Sequence, residues 1–124
     1  MMRIDQARLR AIIAEADAAS IAVYPLKDKR NALMKDIRDL KNALNPNYRV
    51  FGEDGPKPHP RYSDNEKQRS GLRAELNSLI KRVEELETEI DNLKDEASSL
   101  RQLANRGIEM ARAHGQLPTD LEAN

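Results

Sequence analysis

GLRAELNSLIKRVEELETEIDNLKDEASSLRQLANRGIEMARA, Gly71 to Ala113, carries the clearest pattern in the chain. Leu72, Leu76, Leu79, Val83, Leu86, Ile90, Leu93, Ala97, Leu100, Ala104, Gly107 and Ala111 follow one another in steps of four and three without a break. That is a heptad repeat, with Leu76, Val83 and Ile90 at a and Leu72, Leu79, Leu86, Leu93 and Leu100 at d. It predicts one long helix over 65–115, with Ser63 or Asp64 as its N-cap and Gly115 followed by Pro118 as its stop. The remainder, 116–124, reads as a flexible tail.

Upstream, 1–44 reads as a second helix in the same kind of frame: Leu9, Ile12, Ala16, Ala19, Val23, Leu26, Arg30, Leu33, Ile37, Leu40 and Leu44. Arg30 alone breaks the apolar rule. Pro25 falls on the face away from this seam, so a proline there bends the helix and leaves its packing face intact. The alternative places Pro25 at the start of a separate helix; the unbroken phase favours one helix kinked near Pro25.

Between the helices lies NPNYRVFGEDGPKPHPRYSD, 45–64, which holds four of the six prolines and two of the five glycines and cannot be helical. The expected fold is therefore all-α: an antiparallel two-helix coiled-coil hairpin with a long Pro/Gly-rich connection. Folding back at this connection pairs residues whose numbers sum to 116, from Leu44 with Leu72 to Leu9 with Gly107. Charge supports that register, because Lys27 to Lys41 carries six basic residues against three acidic, and Glu84 to Glu96 seven acidic against one lysine. Arg30 would reach a carboxylate among Glu85, Glu87 and Glu89. A parallel homodimer competes, since β-branched residues at a with Leu at d favour it. The first helix needs a partner, however, and a hairpin supplies one at low loop-closure cost.

Two segments, KDKRNALMKDIRDL from Lys27 and the later LRAELNSLIKRVEELETEI, resemble the helical arm of seryl-tRNA synthetases, an antiparallel coiled coil that touches tRNA. The catalytic domain of that family has no counterpart here, so the resemblance implies the hairpin shape and nothing about activity.

Composition narrows the function. The 124 residues carry 21 basic and 21 acidic side chains, no cysteine, and only four aromatics, so apolar burial must come from aliphatic side chains. One domain is the expectation at this length. The missing cysteines exclude a disulfide framework, a thiolate nucleophile and a cysteine zinc site, and fit a reducing compartment. No stretch nears the roughly 18 apolar residues of a membrane helix, and the N-terminus lacks an apolar signal core, so a cytoplasmic protein without membrane contact is expected. His59 and His114 have no second ligand at metal spacing and read as solvent-exposed. Gly52 and Gly55 form no phosphate loop, and the glutamate run reads as a solvated face. The expectation is no enzyme, no cofactor, no metal and no small-molecule substrate.

What remains is macromolecular binding. The connection is far longer than the two to eight residues that a helix pair requires. It concentrates Tyr48, Phe51 and Tyr62 among Arg49, Lys57 and Arg61, residue types enriched at binding hot spots. These six form the candidate partner-binding tip; the alternative is that the three aromatics cap the helix ends. At the far end Ile13, Leu103, Ile108 and Met110 lie beside the seam and suggest a homodimer interface that completes a four-helix bundle; the alternative is a broader core for one hairpin. A protein partner is favoured. Nucleic acid, bound through the basic first helix and the tip, is the alternative that the balanced charge weakens.

Overall fold

A computed structural model describes residues 5–115, and four elements occur among them: α1 (Gln6–Leu44), β1 (Val50–Gly52), β2 (Gly55–Lys57) and α2 (Glu66–Ala113). The helices pack against each other. The expected tail at 116–124 lies outside the described residues, and no described helix is long and apolar enough to cross a membrane.

Each helix begins on a cap supplied by the residue just before it. Asp5 caps α1, its Oδ1 accepting the Arg8 N–H at 3.0 Å. Asn65 caps α2: its Oδ1 accepts the N–H groups of Lys67 and Gln68 at 2.9 and 3.2 Å. This corrects the expectation of Ser63 or Asp64, because the Ser63 hydroxyl is spent one step earlier, on the Asn65 N–H at 3.0 Å. At the other end Gly115 takes φ 63°, the left-handed conformation that ends helices, and its N–H returns to the Arg112 carbonyl at 3.2 Å. Pro25 lies inside α1 and starts no new helix. The carbonyl it deprives of a donor belongs to Ile21, which is exposed and can be solvated there.

All the seam positions named in both frames are buried or half-buried, Arg30 included. Arg30 does not reach a carboxylate; its guanidinium lies 3.4 Å from the Asn31 Oδ1 instead. The local amide is one residue away, whereas a glutamate on the other helix would require an extended, ordered side chain.

The chain divides into two compact units rather than one. The first joins Met1–Leu26 with Glu89–Asn124, the second is Lys27–Thr88. Among the described residues of the first unit, the buried ones are four alanines, Ala16, Ala19, Ala104 and Ala111, beside the larger Leu9, Val23 and Ile90. Leu9 sits directly on Gly107, so closely that a Cβ on that glycine would come within 2.6 Å of the Leu9 Cδ1. Asp17 forms an ion pair with Arg101. Both contacts follow antiparallel packing. In the second unit the core is leucine: Leu40, Ala43 and Leu72 are buried together, with Leu44, Leu76 and Leu79 packed against them.

The connection contains a short ribbon, an element that the sequence reading did not specify. β1 and β2 pair antiparallel, Val50 with Lys57, Phe51 with Pro56 and Gly52 with Gly55, so the fold is mostly helical with a two-stranded ribbon rather than strictly all-α. Gly55, at φ 90°, supplies the left-handed residue that follows the Glu53–Asp54 turn. Pro56 is tolerated because a ribbon this narrow leaves one side of each strand without a neighbour.

Candidate functional site

Within the second unit, the connection is tied to both helices by groups that carry no periodicity. His59 is the hub. Only 8% of it is exposed, contrary to the solvent-exposed histidine expected from sequence. Its Nδ1 accepts the Arg61 N–H at 3.0 Å, which places the ring proton on Nε2, and Nε2–H donates to the Asp39 Oδ1 of α1 at 2.7 Å. The Tyr48 ring lies against the imidazole, tilted by 46° with centroids 6.1 Å apart. The His59 carbonyl accepts the Tyr62 N–H at 2.8 Å. Every polar group of this buried residue named here has a partner, as burial demands.

A second anchor reaches α2. The Arg61 guanidinium forks onto the Glu75 carboxylate, the closer contact 2.9 Å. That hydrogen bond, with the charge behind it, raises the Arg61 pKa and holds the Glu75 carboxyl below the ordinary glutamate value. Arg69 of α2 is the third anchor. It donates to the Leu44 carbonyl at 2.9 Å and the Ser63 carbonyl at 3.2 Å, and its guanidinium lies 5.7 Å from the Tyr62 ring centroid. The Leu44 carbonyl is one of the orphan acceptors at the end of α1, so Arg69 both caps that helix and binds the two helices together. The Tyr62 hydroxyl donates to Asp64 at 2.8 Å, which raises the phenol pKa, burial adding to the effect.

The six tip residues therefore separate into two groups. Tyr48, Arg61 and Tyr62 face inward onto His59, Glu75 and Arg69. Arg49 donates to the carbonyls of Pro46 and Tyr48 at 2.7 and 2.8 Å, and Lys57 pairs with Asp54 across the ribbon turn at 3.2 Å. Phe51 stands apart: 80% of it is exposed, beside Val50 on the same strand, and it lies opposite Pro56. Tyr48 thus packs within the connection and Tyr62 against α2, while Phe51 is exposed.

Ile13, Leu103, Ile108 and Met110 do not form one patch. Ile13 and Ile108 line a groove of the first unit together with Asp17, Arg101 and Arg112. Leu103 and Met110 are exposed and lie about 140–160° around α2 from Ile108, at about 100° per residue.

His59, Asp39, Arg69 and Glu75 are the residues that sequence reading passed over. Asp39 and Glu75 read as ordinary helix-surface carboxylates, and no spacing links either to the loop. The ribbon did leave a signal, since Asp54–Gly55 between short extended segments is a hairpin motif. No family model, no curated protein and no solved structure matches this chain.

Proposed function

We propose that this chain is a non-enzymatic interaction protein that presents Phe51 and the adjoining ribbon to a protein partner, as an adaptor, assembly factor or stoichiometric inhibitor. One observation carries this reading: a large aromatic is 80% exposed on a connection whose other aromatics pack against His59 and Arg69. Pre-organisation of that kind reduces the ordering cost of association, and a lone aromatic anchor is the usual centre of a binding hot spot. Self-association belongs to the same reading, since a two-helix pair leaves apolar residues such as Met34 open beside its seam.

Nucleic acid fits the tip less well. Arg49, Lys57 and Arg61 are already engaged with carbonyls or carboxylates, and two of the three aromatics are turned away from any base.

The test compares the native chain with Phe51→Asp as baits in the source organism's extract, with captured proteins identified by mass spectrometry. A protein captured by the native chain and lost with Phe51→Asp, at unchanged helical circular dichroism, supports the reading; equal capture by both overturns it. A parallel titration against tRNA and duplex DNA separates the alternative, because phosphate binding weakens steeply with salt.

A further inference from the structure

The ribbon of the connection has two outer edges, and the sequence closes only one of them. Phe51 pairs with Pro56, and proline has no N–H, so this pair cannot exchange hydrogen bonds across the ribbon; the pairs that do are Val50 with Lys57 and Gly52 with Gly55. The N–H and C=O of Phe51 therefore point away from β2. Among the described residues neither group has a hydrogen-bond partner. On the opposite edge Pro56 offers a carbonyl and no donor, and Pro58, two residues on, lacks a donor as well. Proline thus blocks the β2 edge, while β1, exposed along its length, can accept a further strand.

We propose that this strand is β1 of a second copy of the chain, antiparallel and centred on Phe51, so that two ribbons join into one four-stranded sheet.

Backbone, side chains and charge each name that occupant. A half-turn about an axis normal to the ribbon lets the Phe51 N–H donate to the Phe51 carbonyl of the second copy and receive the converse bond, so the open groups of each chain satisfy each other. Phe51 and Pro56 are cross-strand neighbours on one face. Pairing therefore sets Pro56 and Phe51 of both copies in one apolar row and covers a ring that is 80% exposed. On the other face Val50 lies opposite Gly52 of the second copy, which has no side chain to crowd it. The same register brings Arg49 beside Glu53 of the second copy, twice. Arg49 makes both of its carbonyl bonds through Nη1 alone, and among the described residues Glu53 has no hydrogen bond or ion pair. A strand complementary to β1 in antiparallel sense must carry a base, an apolar residue and an acid at alternate positions, and Arg49, Phe51 and Glu53 are that series. Parallel pairing in register would instead set Arg49 on Arg49. The inference rests on the reading of Phe51 as a binding residue and commits to its occupant. The contact is small, so association is weak and depends on concentration.

Sedimentation equilibrium of the full chain, from micromolar to millimolar concentration, should show the mass rising from 14.1 kDa toward twice that value. Arg49→Glu makes both flanks of β1 acidic, and Glu53→Arg makes both basic. Each substituted chain alone should keep the mass of one copy, and an equimolar mixture of the two should recover the native rise.

A native chain that keeps the mass of one copy at millimolar concentration overturns the proposal; if it still captures a protein from extract through Phe51, the reading of the tip stands without it. Substituted chains that associate as the native chain does, or a mixture that fails to recover, overturn the register. Because Arg49 also binds two carbonyls of the connection, a second route leaves it in place and uses the absence of native cysteine. A Cβ on Gly52 meets nothing within 4 Å. Val50→Cys and Gly52→Cys chains, mixed at millimolar concentration and mildly oxidised, should give the mixed disulfide in excess of its random share, because the register sets residue 50 opposite residue 52. A random distribution of products overturns the antiparallel pairing.

Discussion

The seam of the second unit is filled mainly by leucine, whereas all the alanine and glycine seam positions fall in the first, although both follow the same four-three spacing. Leu40, Ala43 and Leu72 are buried together in one, with Leu44, Leu76 and Leu79 packed against them, while Ala16, Ala19, Ala97, Ala104, Gly107 and Ala111 alternate with larger aliphatics in the other. A buried leucine removes enough apolar surface from water to contribute about 1.5–3 kcal/mol, and an alanine methyl contributes far less. Small residues act differently, by permitting backbone approach, and the fit of Leu9 onto Gly107 shows how little room that leaves. Spacing alone therefore fixes where helices touch and leaves open how they adhere. The second unit should be sensitive to atoms removed, the first to atoms added.

The largest effect should come from removing atoms where leucine fills the seam. Leu40 is 2% exposed and packs with Ala43 and Leu72, so Leu40→Ala should lower stability by about 2–5 kcal/mol, read as a shift of the urea unfolding midpoint at unchanged slope. Hydrogen exchange should show the loss first in the helix residues of Lys27–Thr88. A change under about 1 kcal/mol would mean that leucine packing does not distinguish the two units.

This contrast was partly visible in the sequence, because periodicity and residue size are local properties. Both seams follow from it, and the pairing of Leu9 with Gly107 follows from assuming that the chain folds back at its prolines. What stayed hidden depends on contacts without period. His59 lies twenty residues from Asp39 and Arg61 fourteen from Glu75, and nothing in the intervening text signals either meeting.

Two glycines in the same helix offer a finer test of the comparison. A Cβ on Gly71, in the second unit, meets nothing within 4 Å, whereas on Gly107, in the first, it meets Leu9. Glycine inside a helix costs about 1 kcal/mol relative to alanine, and that gain is common to both substitutions. Gly71→Ala should therefore stabilise the chain by about 0.5–1 kcal/mol. Gly107→Ala must in addition displace a buried leucine, an overpacking cost of about 1–3 kcal/mol, so it should fall below Gly71→Ala by that margin. Leu9→Ala placed in the Gly107→Ala chain should then cost less than Leu9→Ala alone, a coupling that a double-mutant cycle of urea midpoints would detect. Equal effects of the two alanines would remove close approach from the account of the first unit.

The smallest effect concerns how the second unit anchors its connection. Arg61 and Glu75 are each about half exposed, so their ion pair is well screened and contributes little to global stability. Its direction is nevertheless fixed. The hydrogen bond from Arg61 lowers the Glu75 pKa below 4.5, the value of an unperturbed glutamate, so the folded state binds a proton at that site less readily than the unfolded one. The contribution is thus complete above the ordinary glutamate range and disappears as pH falls through the depressed value. An NMR titration of the Glu75 carboxyl should find its midpoint below that of an unpaired glutamate, and Arg61→Gln should return it upward. The same substitution should leave the urea midpoint almost unchanged and raise exchange at the amides of the connection, because Arg61 ties the connection to α2 through Glu75. If the carboxyl titrates alike in both chains, the connection is anchored to the helices by His59 and Arg69 alone.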